Sequence, residues 1–136
     1  MSEVLLEGHG TGPLQRLRAP LSFWGGVGPD GSIIDGHHPD RGASVAGAVL
    51  AMSAGRGSSS SSSVLAELIR AGVAPAALLL ETRDAIVVTG ALVAAEIYGV
   101  RVPVVLVSPD ELDDLPAGRI VVVDTDAEPV LRAVLS

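Results

Sequence analysis

Cysteine and lysine are both absent from the 136 residues, and the aromatic side chains are Phe23, Trp24 and Tyr98 alone. Without cysteine there is no disulfide, no thiol nucleophile and no iron–sulfur cluster ligated by thiolates of this chain. With 48% hydrophobic but only 2% aromatic residues, the core must be built from Val, Leu, Ile and Ala. That suits closely apposed strands and helices better than an aromatic ligand cage. No apolar run reaches the roughly 18 residues of a membrane span. The start, Met1-Ser2-Glu3-Val4, lacks the basic opening and long apolar stretch of a secretory signal, so a cytoplasmic protein without a membrane partner is expected. Nine basic residues, all arginine, against sixteen acidic ones give a net charge of −7. Nucleic-acid binding, which needs clustered positive charge, is not expected. Exclusive use of arginine reads as a choice of guanidinium for anions or, more simply, as the composition of an alanine- and glycine-rich chain. The length predicts one domain spanning residues 1–136.

The first third reads as strands and turns: Val4–Leu6, Arg16–Ala19, Leu21–Trp24 and Ser32–Ile34, punctuated by Gly25-Gly26, Gly28-Pro29-Asp30-Gly31 and His38-Pro39-Asp40. Beyond it, apolar runs at Ala48–Met52, Ala76–Leu80, Val104–Val107 and Ile120–Val123 predict buried strands. Helical patterns at Ser63–Ala71 and Gly90–Tyr98 lie between the first three. That alternation predicts βαβ crossovers and a parallel sheet in an α/β fold. Gly72 and Gly99 stand where left-handed helix caps fall, and Pro75 and Pro103 precede strands.

What the chain has in abundance is serine at one place. Gly55-Arg56-Gly57 is followed by six serines, Ser58 to Ser63, between a predicted strand and a predicted helix. A linker of this composition would separate domains; here it joins two elements of one short chain, so an ordered loop is expected. Unpaired amides and the dipole at a helix start favour a negatively charged ligand there. The loop is neither a Walker P-loop, since no lysine follows the glycines, nor a dinucleotide fingerprint, since the third glycine is missing. Ser58 is the candidate functional hydroxyl; Ser61, Ser62 and Ser63 read as capping or solvent-exposed. Arg56 stands open between a ligand clamp and a solvent-facing side chain.

The other candidates read as structural. His37-His38, beside Asp35 and Asp40, suits a turn or interface more than a metal site, because adjacent side chains of a strand point apart. Trp24 is expected to pack under the Gly25-Gly26 turn, and Tyr98 to end a helix. Asp110–Asp114 reads as a solvated acidic turn without the alternating ligands of a calcium loop. No metal ligand is expected in this chain.

The stretch Ala48-Val49-Leu50-Ala51-Met52-Ser53-Ala54-Gly55-Arg56-Gly57-Ser58-Ser59 resembles the swivel domain of the aconitase superfamily, in which a strand ends in Gly-x-Gly-Ser-Ser. Pro20-Leu21-Ser22-Phe23-Trp24-Gly25-Gly26-Val27, Gly42–Gly47, Thr89-Gly90-Ala91 and Glu96–Gly99 narrow the resemblance to the aconitase X branch, over roughly Gly8 to Val107. The resemblance implies a swivelling three-layer β/β/α domain, a small subunit working against a large one that carries an iron or iron–sulfur centre, and a hydro-lyase reaction on a small hydroxylated carboxylate. It implies Ser58 as the proton-abstracting base and Gly57, Ser59 and Ser60, with Arg56, as substrate contacts. The branch includes phosphomevalonate dehydratase and cis-3-hydroxy-L-proline dehydratase. Arginine and glutamate follow the two serines in aconitase and isopropylmalate isomerase; here Ser60 and Ser61 take those places, which fits a different substrate. The composition favours a hydroxyproline-type substrate, with phosphomevalonate next.

A helix start supplies up to about 2 kcal/mol, or about 1.5 pKa units. That is too little to make a serine alkoxide available near neutral pH. Further donors or cations are expected from the large subunit, so the chain alone is expected to be silent. A phosphohistidine swivel domain has a similar fold, which Ile86–Gly90 faintly resembles, but no histidine follows His38 to carry its chemistry. The other alternative is a stand-alone anion-binding or regulatory module.

Overall fold

A computed structural model describes residues 2–53 and 60–134. Seven strands form one sheet: β1 (Glu3–Leu6), β2 (His9–Arg16), β3 (Val49–Met52), β4 (Ala77–Leu80), β5 (Val104–Leu106), β6 (Ile120–Asp124) and β7 (Leu131–Ala133). Their spatial order is β1-β5-β4-β3-β2-β6-β7. Strands β2, β3, β4 and β5 run parallel; β1, β6 and β7 join antiparallel. The helices are α1 (Phe23–Gly26), α2 (Ser61–Ala71), α3 (Ala85–Tyr98) and α4 (Pro109–Asp113).

The alternation of side chains along β3 divides the core in two. Leu50 and Met52 face the helix layer, where they pack with Leu65, Leu68 and Ile69 of α2 and Ala91 of α3. Val49 and Ala51 face the other way, onto Leu14, Leu112 of α4, and Val121 and Val123 of the curled β6 arm. Helices on one face and curled strands on the other make the expected β/β/α layering. Leu50, Leu78, Leu79 and Leu80 are fully buried, each stabilising the fold by about 1.5–3 kcal/mol.

The central strands and both long helices stand where the periodicity placed them, with shifted ends. Helix α2 starts at Ser61 rather than Ser63, and Gly72 closes it with a left-handed φ of 77°. Helix α3 starts at Ala85 rather than Gly90, because the Asp84 carboxylate caps it by accepting from the amides of Ile86 and Val87. The β-branched run Ile86-Val87-Val88-Thr89 hid that first turn from the sequence pattern.

The first third departs further. The expected strand at Arg16–Ala19 is not one: the strand is His9–Arg16, in which Gly10, Gly12 and Pro13 suppress any strand pattern, and residues 17–19 lie beyond its end. Those glycines answer to packing: a Cβ would lie 2.1 Å from the Ala76 carbonyl oxygen at Gly10 and 2.0 Å from that of Gly47 at Gly12. Leu21–Trp24 is no strand. Phe23–Gly26 is one kinked turn, with Trp24 extended (ψ 117°) and Gly25 left-handed (φ 76°). Ser32–Ile34 reduces to isolated bridges, Val27 with Ile33 and Ser32 with Ser44. Asp110–Asp114 is not a plain turn either: α4 starts on a capping box of Ser108 and Glu111 and buries Leu112.

Candidate functional site

The parallel strands β2, β3 and β4 end side by side at Arg16, Met52 and Leu80. This is the carboxyl edge, where open α/β sheets bind ligands. Strand β3 ends at this edge, and helix α2, which follows it in the chain, starts at Ser61. Arg56, Gly57, Ser58 and Ser59 lie outside the described residues. Ser60 is exposed and immediately precedes α2; its hydroxyl makes no capping hydrogen bond.

At this edge is a cleft of about 170 Å³ lined by Arg16, Arg18, Met52, Ser53, Glu81 and Leu112, among others. Arg16 and Arg18 were missed in the sequence, because the cleft exists only once three strand ends and a loop meet. The Arg16 guanidinium is 2.6 Å from Asp113 Oδ1 and 3.7 Å from Glu81. Arg18 donates from Nε to Asp40 Oδ1 at 2.9 Å and from its amide to Asp40 Oδ2 at 2.9 Å, and its guanidinium also donates to the Pro39 carbonyl. Partial burial alone would raise the Asp40 carboxyl; the two Arg18 hydrogen bonds and the Arg18 charge outweigh it and hold Asp40 below the ordinary carboxylate range. Three carboxylates thus answer two guanidiniums on this rim. Its described part carries no surplus positive charge for an anionic ligand.

Helix α2 is fixed at its start from two sides. Ser61 is not a cap or a solvent-exposed hydroxyl, contrary to expectation; it is buried at 4% exposure. Its Oγ accepts from the Trp24 amide at 3.2 Å and lies 3.1 Å from Ser22 Oγ, and Ser22 Oγ donates to the Trp24 carbonyl at 3.0 Å. With the Ser61 hydroxyl donating to Ser22, every member of this ring is satisfied, as a buried polar group requires. The ring joins the Pro20–Val27 segment to the serine tract, two motifs that the sequence shows only as separate. On the other side, a Cβ at Gly90 of α3 would lie 2.7 Å from the Ser62 carbonyl oxygen. Gly90→Ala is expected to cost about 1–3 kcal/mol and to lower the thermal midpoint; an unchanged midpoint would mean that the two helices are not held this close.

Trp24 does not pack under its turn. It is 57% exposed. His38, by contrast, is a structural turn residue: its side chain is 1% exposed, Nδ1 accepts from the Asp40 amide at 3.0 Å, and Nε2–H therefore donates to the Ala19 carbonyl at 3.0 Å. His37 is exposed and separate from it. Tyr98 ends α3 and is exposed. Among the described residues one His/carboxylate group is dense enough to consider for a metal, His9 with Asp124 and Asp126. Its His9 Nε2 lies 3.0 and 3.1 Å from the two carboxylates. It stands at the amino end of β2, across the sheet from the serine segment. Among the described residues no helix is long and apolar enough to cross a membrane.

This arrangement has close counterparts. The cis-3-hydroxy-L-proline dehydratase of Pseudomonas aeruginosa is 43% identical over 96% of this chain and 24% of that protein. The phosphomevalonate dehydratase small subunit of Methanothermobacter thermautotrophicus is 40% identical over 67% of this chain and 70% of that one. The crystal structure of Thermococcus kodakaraensis aconitase X in its holo form superposes with a TM-score of 0.83 at 30% identity, over 98% of this chain and 96% of that chain. The chain thus spans about a quarter of the length of the hydroxyproline dehydratase but most of the small subunit. The model of the aconitase X swivel domain matches residues 1–131, almost end to end, and with it the seven-stranded sheet, its helix layer and the serine junction find one family: this chain belongs to the aconitase X swivel domain family.

Proposed function

We propose that this chain is the small subunit of a two-chain hydro-lyase that dehydrates a small hydroxylated carboxylate, with a large subunit completing the site. Ser58 is the base in this reading, and Arg56, Gly57, Ser59 and Ser60 contact substrate. The observation that carries it is the Gly-Ser segment joining the carboxyl end of a central parallel strand to the start of α2, which is held at Ser61 and Gly90. Loss of water needs a proton taken from one carbon and a hydroxyl released from its neighbour as the double bond forms. A serine hydroxyl whose pKa is lowered by neighbouring cations suits the first of these tasks. The carboxylate-rich rim around Arg16 and Arg18 supports the need for a second chain, because the cations that would lower the Ser58 pKa are not in surplus here.

The iron or iron–sulfur centre belongs to the large subunit in this reading. This chain has no cysteine to ligate a cluster, and His9, Asp124 and Asp126 stand at the other edge of the sheet. The likeness to a hydroxyproline dehydratase at 43% against 40% for the phosphomevalonate enzyme's small subunit favours a cis-3-hydroxy-L-proline-like substrate. The assembly is placed in the cytoplasm, with neither nucleic acid nor membrane as partner. A stand-alone anion-binding module is the competing reading, and calorimetry separates the two. The isolated chain should show no saturable binding of cis-3-hydroxy-L-proline or phosphomevalonate; tight binding to the chain alone would overturn the two-chain account.

A further inference from the structure

We infer that the face carrying Trp24 and Ile34 is where the large subunit docks, with the Trp24 indole as its anchor. This rests on the two-chain reading above. Trp24 is 57% and Ile34 50% exposed. Ile34 lies against the turn that follows Trp24: its amide donates to the Gly26 carbonyl at 2.9 Å, and its Cγ2 would lie 3.2 Å from a Cβ at Gly28. The Val27–Pro29 turn that continues this segment forms, with α2, an open groove of about 350 Å³ with Val64 and Leu68 in its wall and mostly apolar lining. An exposed tryptophan on a segment that also carries an exposed isoleucine and an apolar groove is costly to leave in water, and tryptophan is among the residue types most enriched among interface anchors.

Two observations say what covers it. The Trp24 amide donates to the hydroxyl of Ser61, which lies within the serine tract Ser58 to Ser63. A chain that reaches this segment to complete a site must pass over the surface adjoining it. The length of the relatives gives the second: in the Pseudomonas aeruginosa dehydratase the matching part is 24% of the protein, and the remainder must find a seat against such a domain. The Ser22–Ser61–Trp24 ring fixes the backbone beneath the indole before any partner arrives, which lowers the ordering cost of association. The complementary surface is an aliphatic pocket with one acceptor for the indole N–H.

The test is the affinity of the purified large subunit for wild-type, Trp24→Ala and Ile34→Ser chains, with thermal midpoints measured alongside. Trp24→Ala is expected to weaken binding at least about 30-fold and Ile34→Ser to weaken it in the same direction, both with unchanged midpoints. At saturating large subunit, the Trp24→Ala complex is expected to turn over as the wild type does. Both variants binding within about twofold of wild type would overturn the docking face while leaving the two-chain reading intact. A wild-type chain that binds no large subunit would overturn both.

Discussion

Replacing Ser58 by alanine in the assembled two-chain enzyme is expected to lower turnover by at least about 100-fold, and up to about 10⁴-fold, the range that a positioned acid–base group contributes. Assembly and thermal stability should not change. The serine segment leaves β3 and enters α2, and α2 is held by the buried Ser61 hydroxyl and by the close approach of Gly90 rather than by Ser58. The effect should therefore fall on the chemical step, measured as kcat under saturating substrate. Near-normal kcat would remove Ser58 as base and move the search to a group on the large subunit.

Gly12→Ala is expected to cost at least about 3 kcal/mol, which for a chain of this size endangers folding itself. Gly12 pairs with Val121 across β2 and β6, and a Cβ there would lie 2.0 Å from the Gly47 carbonyl oxygen and 3.1 Å from its carbon. A backbone oxygen cannot rotate away, so relief requires parting β2 from the entry to β3. Gly36 has only the far end of Arg41, 4.0 Å away, near its added Cβ, and Gly36→Ala should stay within about 0.5 kcal/mol of wild type. Urea unfolding of the two variants measures the contrast. Equal midpoints would contradict the close approach of the two strands.

Gly12 also shows where the sequence stops being legible. Strands β3, β4 and β5 are runs of fully apolar residues because both faces are covered, and such runs announce themselves. Strand β2 lies in the same sheet, yet Gly10, Gly12 and Pro13 remove its pattern, and what they make room for, the carbonyls of Ala76 and Gly47, lies far away in the chain. The same holds at the site. The glycine-serine junction stands out as composition, so the segment and its place between strand and helix were readable. Ser61 among six serines was not: its burial depends on Ser22 and Trp24, 39 and 37 residues away. Trp24 defied expectation for the related reason that its backbone is pinned while its ring is left outside. Arg16 and Arg18 were unreadable as a rim, since their partners, Asp113 at the end of α4 and Asp40 in a turn, are 97 and 22 residues away.

The most direct measurement is dehydration by the co-purified small and large subunits, followed in parallel with cis-3-hydroxy-L-proline and phosphomevalonate. Turnover of one of them that requires both chains, with cis-3-hydroxy-L-proline preferred, is the expected result. Full turnover by the large subunit alone, or none by a stable two-chain complex with either substrate, would contradict the account.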